Sequence, residues 1–339
     1  MLLHRLFFGA LLIAALLALF YADDRLSRRL GPPQSEVYGP QEPPTTLPPP
    51  PQYGPHEPGD ADLSEPPAAA AFPLGLDRLD GLLVAGVLLL LIVAGTFEMR
   101  RLAVAAGHAP ILNWAVFVNA VLLLITFHAW NSSGGAAADE RHTLIWLTLA
   151  LAGAAWLVAR RRCPEHAIGD IAVTLLTVLY LGFLAQYLLR LRLSGPAGGW
   201  LLLYAVGVVK ICDIGAWFTG RTFGRRKLIE WLSPGKTVEG LVGGIVASCL
   251  TAVLAAWLVR SWPSASDALR EAFPGHGRAV AFGVLAALVG QAGDLLESLF
   301  KRDARVKDSA AAIPSFGGVL DILDSPLLVA PVACWVLLG

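Results

Sequence analysis

The chain has 339 residues, 55% of them apolar and only 15% charged, with a mean hydropathy of +0.61. Soluble domains are about one quarter charged, and a chain of this length buries at most about three quarters of its unfolded surface, so the charge deficit argues against a soluble enzyme and makes the bilayer the expected solvent. Net charge is zero, which leaves no global basic field, so no nucleic-acid partner is expected.

Crossing about 30 Å of hydrocarbon takes about 20 apolar residues. Nine runs qualify, near residues 5–21, 81–98, 110–128, 143–160, 168–190, 200–220, 238–259, 279–300 and 317–338. The expected fold is therefore an all-α integral membrane protein of about nine transmembrane helices. Residues 1–21 read as a retained transmembrane anchor, because they carry one arginine and no clear small-x-small cleavage site precedes Asp23. Residues 22–80 read as a solvated linker, since 14 of the 23 prolines fall within 32–73 and favour extended polyproline II backbone. Residues 81–199 then form an N-terminal bundle, and residues 200–339 a second one that holds most of the intramembrane charge. The cysteines Cys163, Cys212, Cys249 and Cys334 form no CxxC pair and read as packing residues.

Positively charged loops stay on the cytoplasmic side. The even-numbered connections hold Arg100 and Arg101, Arg160 to Arg162, Arg221, Arg225, Arg226, Lys227 and Lys236, and Lys301, Arg302, Arg305 and Lys307. Short connections on the other side hold only Arg141, Arg190, Arg192, Arg260, Arg270 and Arg278. The N-terminus and the even connections are expected in the cytoplasm.

A charge at mid-bilayer costs roughly 2.5–3.5 kcal/mol on insertion scales, so intramembrane charges mark candidate function. They come in three sets: Lys210 with Asp213, then Asp294, Glu297, Ser298 and Lys301, then Asp321, Asp324 and Ser325. Spacings of three, four and seven put each set on one helical face, able to line one polar cavity. All three fall toward the cytoplasmic ends of their spans, which places one polar site there. Taken singly, Lys210 with Asp213 and Glu297 with Lys301 read equally well as neutralising pairs. Taken together they leave surplus carboxylates, the oxygen donors that magnesium shares with substrate phosphates. The loop Ser233, Pro234, Gly235, Lys236, Thr237 opens span seven, where backbone amides and the helix dipole favour anions. It is no Walker A motif, because the glycine required five residues before Gly235 is Glu230.

On these residues the chain resembles the phosphatidate cytidylyltransferases, or CDP-diacylglycerol synthases. The resemblance rests on Ser298, Lys301, Arg302, Lys307, Asp308 and Ser309, followed by Ile313, Pro314, Gly317, Gly318, Asp321, Asp324 and Ser325. Two upstream segments agree: Asp213, Gly215, Ala216, Gly220 and Arg221, and Ser233 to Thr237 with Glu239, Gly240, Gly243 and Gly244. It covers residues 200–339. It implies transfer of a cytidylyl group from CTP to phosphatidic acid in the inner membrane, with the site facing the cytoplasm, and a tendency toward homodimers. It also implies magnesium held by Asp294 and Asp321, with a neighbouring potassium ion implicated. Lys301, Arg302, Lys307, Asp308 and Asp324 are the catalytic residues on this reading. Asp213, Ser233, Gly235, Lys236, Thr237, Glu239 and Ser298 are the substrate-binding ones, Glu239 by ordering its loop.

Two positions depart from the pattern: Phe316 stands where the family usually has histidine, and Ile322 where it has arginine. The alternatives are a CTP-dependent polyprenol kinase, an inactive family member, or a transporter whose buried carboxylates conduct cations.

Overall fold

The computed structural model describes residues 81–133, 137–162, 164–306 and 318–339, together with residues 18, 19, 21–23 and 25. Most of the expected anchor and linker lies outside the described residues, as do Cys163, Lys307, Asp308 and Phe316. In chain order the elements are α1 (Leu82–Ala105), α2 (Leu112–Ser133), α3 (Ala137–Ala159) and α4 (Ala167–Leu193), then α5 (Gly198–Phe223). A hairpin of β1 (Lys227–Ile229) and β2 (Ser233–Thr237) follows, then α6 (Val238–Ser261), the short α7 (Asp267–Ala272), α8 (His276–Asp303) and α9 (Leu320–Leu338).

Eight of these helices are long and apolar enough to cross a membrane, and they match the second to ninth runs read from the sequence. The chain is an all-α, multi-pass membrane protein. Helix is the required solution, because hydrocarbon offers no partner to an unpaired backbone amide or carbonyl. At Val178–Phe183 the ladder of α4 loosens into a π-helical turn.

How the helices meet is set by residue size. Along α6, Val238, Val242, Val246, Leu250 and Leu254 are exposed, an every-fourth-residue stripe suited to lipid. Its buried stripe is Gly240, Gly244, Ser248, Ala252 and Ala256. Small residues at this spacing let helix backbones approach without a hydrophobic force between them. A Cβ on Gly244 would lie 3.0 Å from the Cys212 sulfur of α5, and one on Gly243 would run into the Thr219 side chain. On the far side a Cβ on Gly283 of α8 would lie 2.6 Å from the Cys249 Cα, and Ser248 Oγ donates to the Gly283 carbonyl at 2.9 Å. Helix α6 is thus clamped between α5 and α8.

One apolar core draws on both halves of the chain: Ile92 of α1, Leu181 and Leu189 of α4, Val208 of α5, Phe282 and Ala286 of α8, and Leu320 and Leu327 of α9. A smaller cluster of Ala115, Val118, Leu122, Ala150 and Val178 joins α2, α3 and α4.

The segment Ser233 to Thr237, read from the sequence as a loop, is a strand. It pairs antiparallel with β1, Lys227 opposite Thr237 and Ile229 opposite Ser233, with an irregularity between. Its last residue still opens a helix, since Thr237 Oγ1 accepts the Gly240 amide at 3.1 Å as the N-cap of α6.

The α5–α6 contact makes a stability prediction. Gly243→Val is expected to lower stability by about 1–3 kcal/mol through overpacking, whereas Gly207→Ala, with nothing within 4 Å of the new Cβ, should not. Thermal unfolding in detergent reads the difference, and equal melting temperatures would contradict the close approach.

Candidate active site

The polar centre forms where the second half of α8 lies on the first turns of α9. A Cβ on Gly293 would sit 2.5 Å from the Asp324 carbonyl oxygen, so only glycine lets the two backbones meet there. The next residue, Asp294, then joins Glu297 and Asp324, each offering a carboxylate oxygen within 4.8 Å of the others. Glu297 and Asp324 are buried, while Asp294 keeps 37% of its side chain exposed.

Three lysines balance part of this charge. Lys301 Nζ lies 3.1 Å from Glu297 Oε2 and 2.7 Å from Asp321 Oδ1. Lys236 Nζ reaches from the hairpin to Asp294 Oδ2 at 2.9 Å. Lys210 Nζ lies 3.5 Å from Asp213 Oδ2 on α5. The two pairs expected as neutralising contacts do form, yet among the described residues five carboxylates face three lysines. A surplus of negative charge, buried in part at Glu297 and Asp324, is costly unless a cation compensates it. Glu297 Oε1, in addition, is buried without a hydrogen-bond partner among the described residues. An all-oxygen donor set with one orphaned carboxylate oxygen fits magnesium. Asp321, the second carboxylate expected at the metal, accepts the Gly318 amide at 2.6 Å and the Lys301 ammonium; it is Asp324 that completes the group with Asp294 and Glu297.

Above the carboxylates opens a cleft of about 580 Å³, within the usual range for a small-molecule site. Asp213, Trp217 and Arg221 of α5 form one wall, Gln291 and Asp294 of α8 another, and Ser233, Gly235, Lys236 and Thr237 of β2 the cover. The cover is held from three directions. Glu239 Oε2 accepts the amides of Arg225 and Arg226 at 3.0 and 3.1 Å. Lys227 Nζ donates to the Pro234 carbonyl at 2.6 Å, and Arg302 Nε, at the end of α8, donates to the Leu232 carbonyl at 3.2 Å. Arg302 thus holds the hairpin, and Ser298 is half-buried on α8 without lining the cleft.

Sequence reasoning passed over Glu98. This carboxylate, 4% exposed near the end of α1, accepts the Val319 and Leu320 amides at 2.9 and 3.0 Å. It acts as an N-cap supplied from another helix, where a negative charge also meets the favourable end of the α9 dipole. The amides it holds directly precede Asp321, so α1 fixes the level at which α9 presents its carboxylates. The available signal was the cost of a carboxylate in an apolar span, hidden because Glu98 closes the predicted span 81–98.

The cytidylyltransferase family model matches residues 76–338. The chain belongs to that family. Among its relatives is the phosphatidate cytidylyltransferase of Chlamydia pneumoniae, 31% identical over 248 residues, which cover 70% of this chain and 77% of the relative. The phosphatidate cytidylyltransferase of Synechocystis sp. is 32% identical over 292 residues, covering 78% of this chain and 90% of the relative. That of Bacillus subtilis is 35% identical over 162 residues, or 48% of this chain and 56% of the relative. The family match takes in α1 and its Glu98, not only the C-terminal half that carries the signature.

Removing the Glu98 carboxylate leaves two buried amides without their acceptor, at about 1–3 kcal/mol for each unsatisfied group. Glu98→Ala is therefore expected to lower the unfolding temperature clearly, and Glu98→Gln, which keeps one acceptor oxygen, to lower it less. Differential scanning fluorimetry of the purified variants checks this order, and an unchanged Glu98→Ala would contradict the cap.

Proposed function

We propose that this protein transfers the cytidylyl group of CTP to phosphatidic acid, giving CDP-diacylglycerol and pyrophosphate. The observation that carries the reading is the join between cleft and carboxylates: Lys236 belongs to the cover of the cleft and pairs with Asp294 of the cluster at 2.9 Å. Family membership, and relatives named for this activity, give the chemistry its substrates.

Asp294, Glu297 and Asp324 would hold magnesium, with Asp321 beside them through Lys301 and potassium as a neighbouring cation. Bound there, magnesium supplies charge neutralisation at phosphate oxygens. A phosphate oxygen of phosphatidic acid attacks the α-phosphorus of CTP, the new P–O bond forms, and the bond to the β-phosphate bridging oxygen breaks with departure of pyrophosphate. Lys236 and the cationic end of α8 stabilise charge growing on the attacked group and on the leaving pyrophosphate. No protein nucleophile takes part, since the lipid supplies the attacking oxygen. The backbone of β2 and the bound Lys236 orient the triphosphate, while Glu239 and Arg302 keep the hairpin closed over it. The site faces the cytoplasm of the inner membrane, where CTP is available and where the Lys- and Arg-rich connections are retained.

The test is product identity. Purified protein in detergent with CTP, magnesium and phosphatidic acid should release pyrophosphate and form CDP-diacylglycerol only when all three are present. Release of CDP with a phosphorylated lipid alcohol would instead identify a kinase, and absence of either product from folded protein would overturn the proposal. Asp294→Asn and Asp321→Asn should each reduce turnover by about 10²-fold or more while inserting normally. Near-normal rates in both would remove these carboxylates from the mechanism.

A further inference from the structure

The last turns of α5 serve two surroundings. At about 100° per residue, Asp213, Ala216 and Gly220 share a sector facing the cleft, and Ile214, Phe218 and Ile211 share a sector centred about 130° from Asp213. The first three line the cleft. The other three are 56%, 62% and 37% exposed, apolar residues on a helix long and apolar enough to span a membrane, a face suited to acyl chains. Trp217 and Arg221 fall between, at about 40° and 80° from Asp213, and both line the cleft. Arg221 therefore stands at the edge where the wall of the cleft turns into the lipid-facing surface.

The edge is built to keep a cation in place. The guanidinium carbon of Arg221 lies 5.4 Å from the Trp217 ring centroid, a cation–π contact. Arg221 is exposed and has no carboxylate partner among the described residues. It lies about 12 Å along α5 from Asp213, at 1.5 Å per residue, near the end of the helix where headgroups rather than acyl chains are met. Tryptophan at such a level suits the interface, and a guanidinium matches phosphate with paired donors.

We propose that Trp217 and Arg221 form a lateral entrance for the lipid substrate. Arg221 receives the phosphate monoester of an anionic lipid as it leaves the bilayer, while the acyl chains remain against Ile214 and Phe218. The ligand is thus a lipid phosphate arriving sideways, distinct from the nucleotide, which enters under the hairpin. The inference rests on the cytidylyltransferase reading for the identity of that lipid, and assigns the lipid to one edge of the shared site.

Two measurements test it. In mixed micelles the apparent KM for phosphatidic acid, as surface mole fraction, should rise about tenfold or more in Arg221→Ala and less in Arg221→Lys. The KM for CTP should move far less, and Trp217→Ala should behave like a mild form of Arg221→Ala. An unchanged lipid KM overturns the entrance, as does a rise confined to the KM for CTP, which would assign the guanidinium to the nucleotide. Independently of turnover, phosphatidic acid carrying a diazirine in its acyl chain should label the α5 peptide containing Ile214 and Phe218 in the wild-type protein. Excess phosphatidic acid should compete and phosphatidylcholine should not. Labelling that avoids α5, or that phosphatidylcholine displaces equally, overturns the proposal. If the α5 label forms and no CDP-diacylglycerol is made, the entrance stands and the assigned reaction fails.

Discussion

At Gly293 the backbone of α8 lies against the Asp324 carbonyl, and the polar centre of the molecule depends on that approach. With any side chain there, Asp294 and Glu297 would stand off from Asp324 and the carboxylates would no longer share one position. Three acidic groups within 4.8 Å repel each other strongly in a medium of low dielectric. The packing of α6 against α8 and of α9 into the common core supplies the opposing stability. The cluster is held together against its own electrostatics, the arrangement that the proposed magnesium site requires.

The lysines distribute the remaining charge between scaffold and cleft. Lys301 is tied to Glu297 and Asp321 and joins α8 to α9, so its charge serves the arrangement of the carboxylates. Lys236 comes from the hairpin, and its contact with Asp294 links the cover to the floor. Glu98 works on the same geometry from a distance, because its hold on the Val319 and Leu320 amides sets where α9 begins. A site that joins a water-soluble nucleotide to a membrane lipid needs a stiff floor and two approaches, and on the proposed reading α5 stands between them.

The spanning helices were legible because hydrophobic length is a local property, and the second to ninth predicted runs and the observed helices differ only at their ends. The carboxylates were legible for the related reason that charge in an apolar run stands out. Which of them would meet was not. Asp321 and Asp324 are three apart and share a face of α9, so helical spacing treats them alike. The rotation of α9 against α8, set by Gly293 and the Glu98 cap, decides that Asp324 joins the cluster and Asp321 takes Lys301. The hairpin escaped because Ser233, Pro234 and Gly235 carry little strand propensity, and it is held by Lys227 across its two strands and by Glu239 and Arg302 from outside them. Arg221 was visible as a loop cation, and its place at the lipid edge needed the exposed flank of α5.

The most direct test of the account is cation binding at the carboxylate cluster, read apart from turnover. Manganese, as a spin-active stand-in for magnesium, should bind purified protein at about one ion per chain in titrations followed by electron paramagnetic resonance, given the one oxygen-donor group, among the described residues, that Asp294, Glu297 and Asp324 present. Asp294→Asn combined with Asp324→Asn should abolish that binding while leaving the unfolding temperature equal or higher, since repulsion is relieved. Full manganese binding in the folded double variant would contradict the account and move the cation elsewhere.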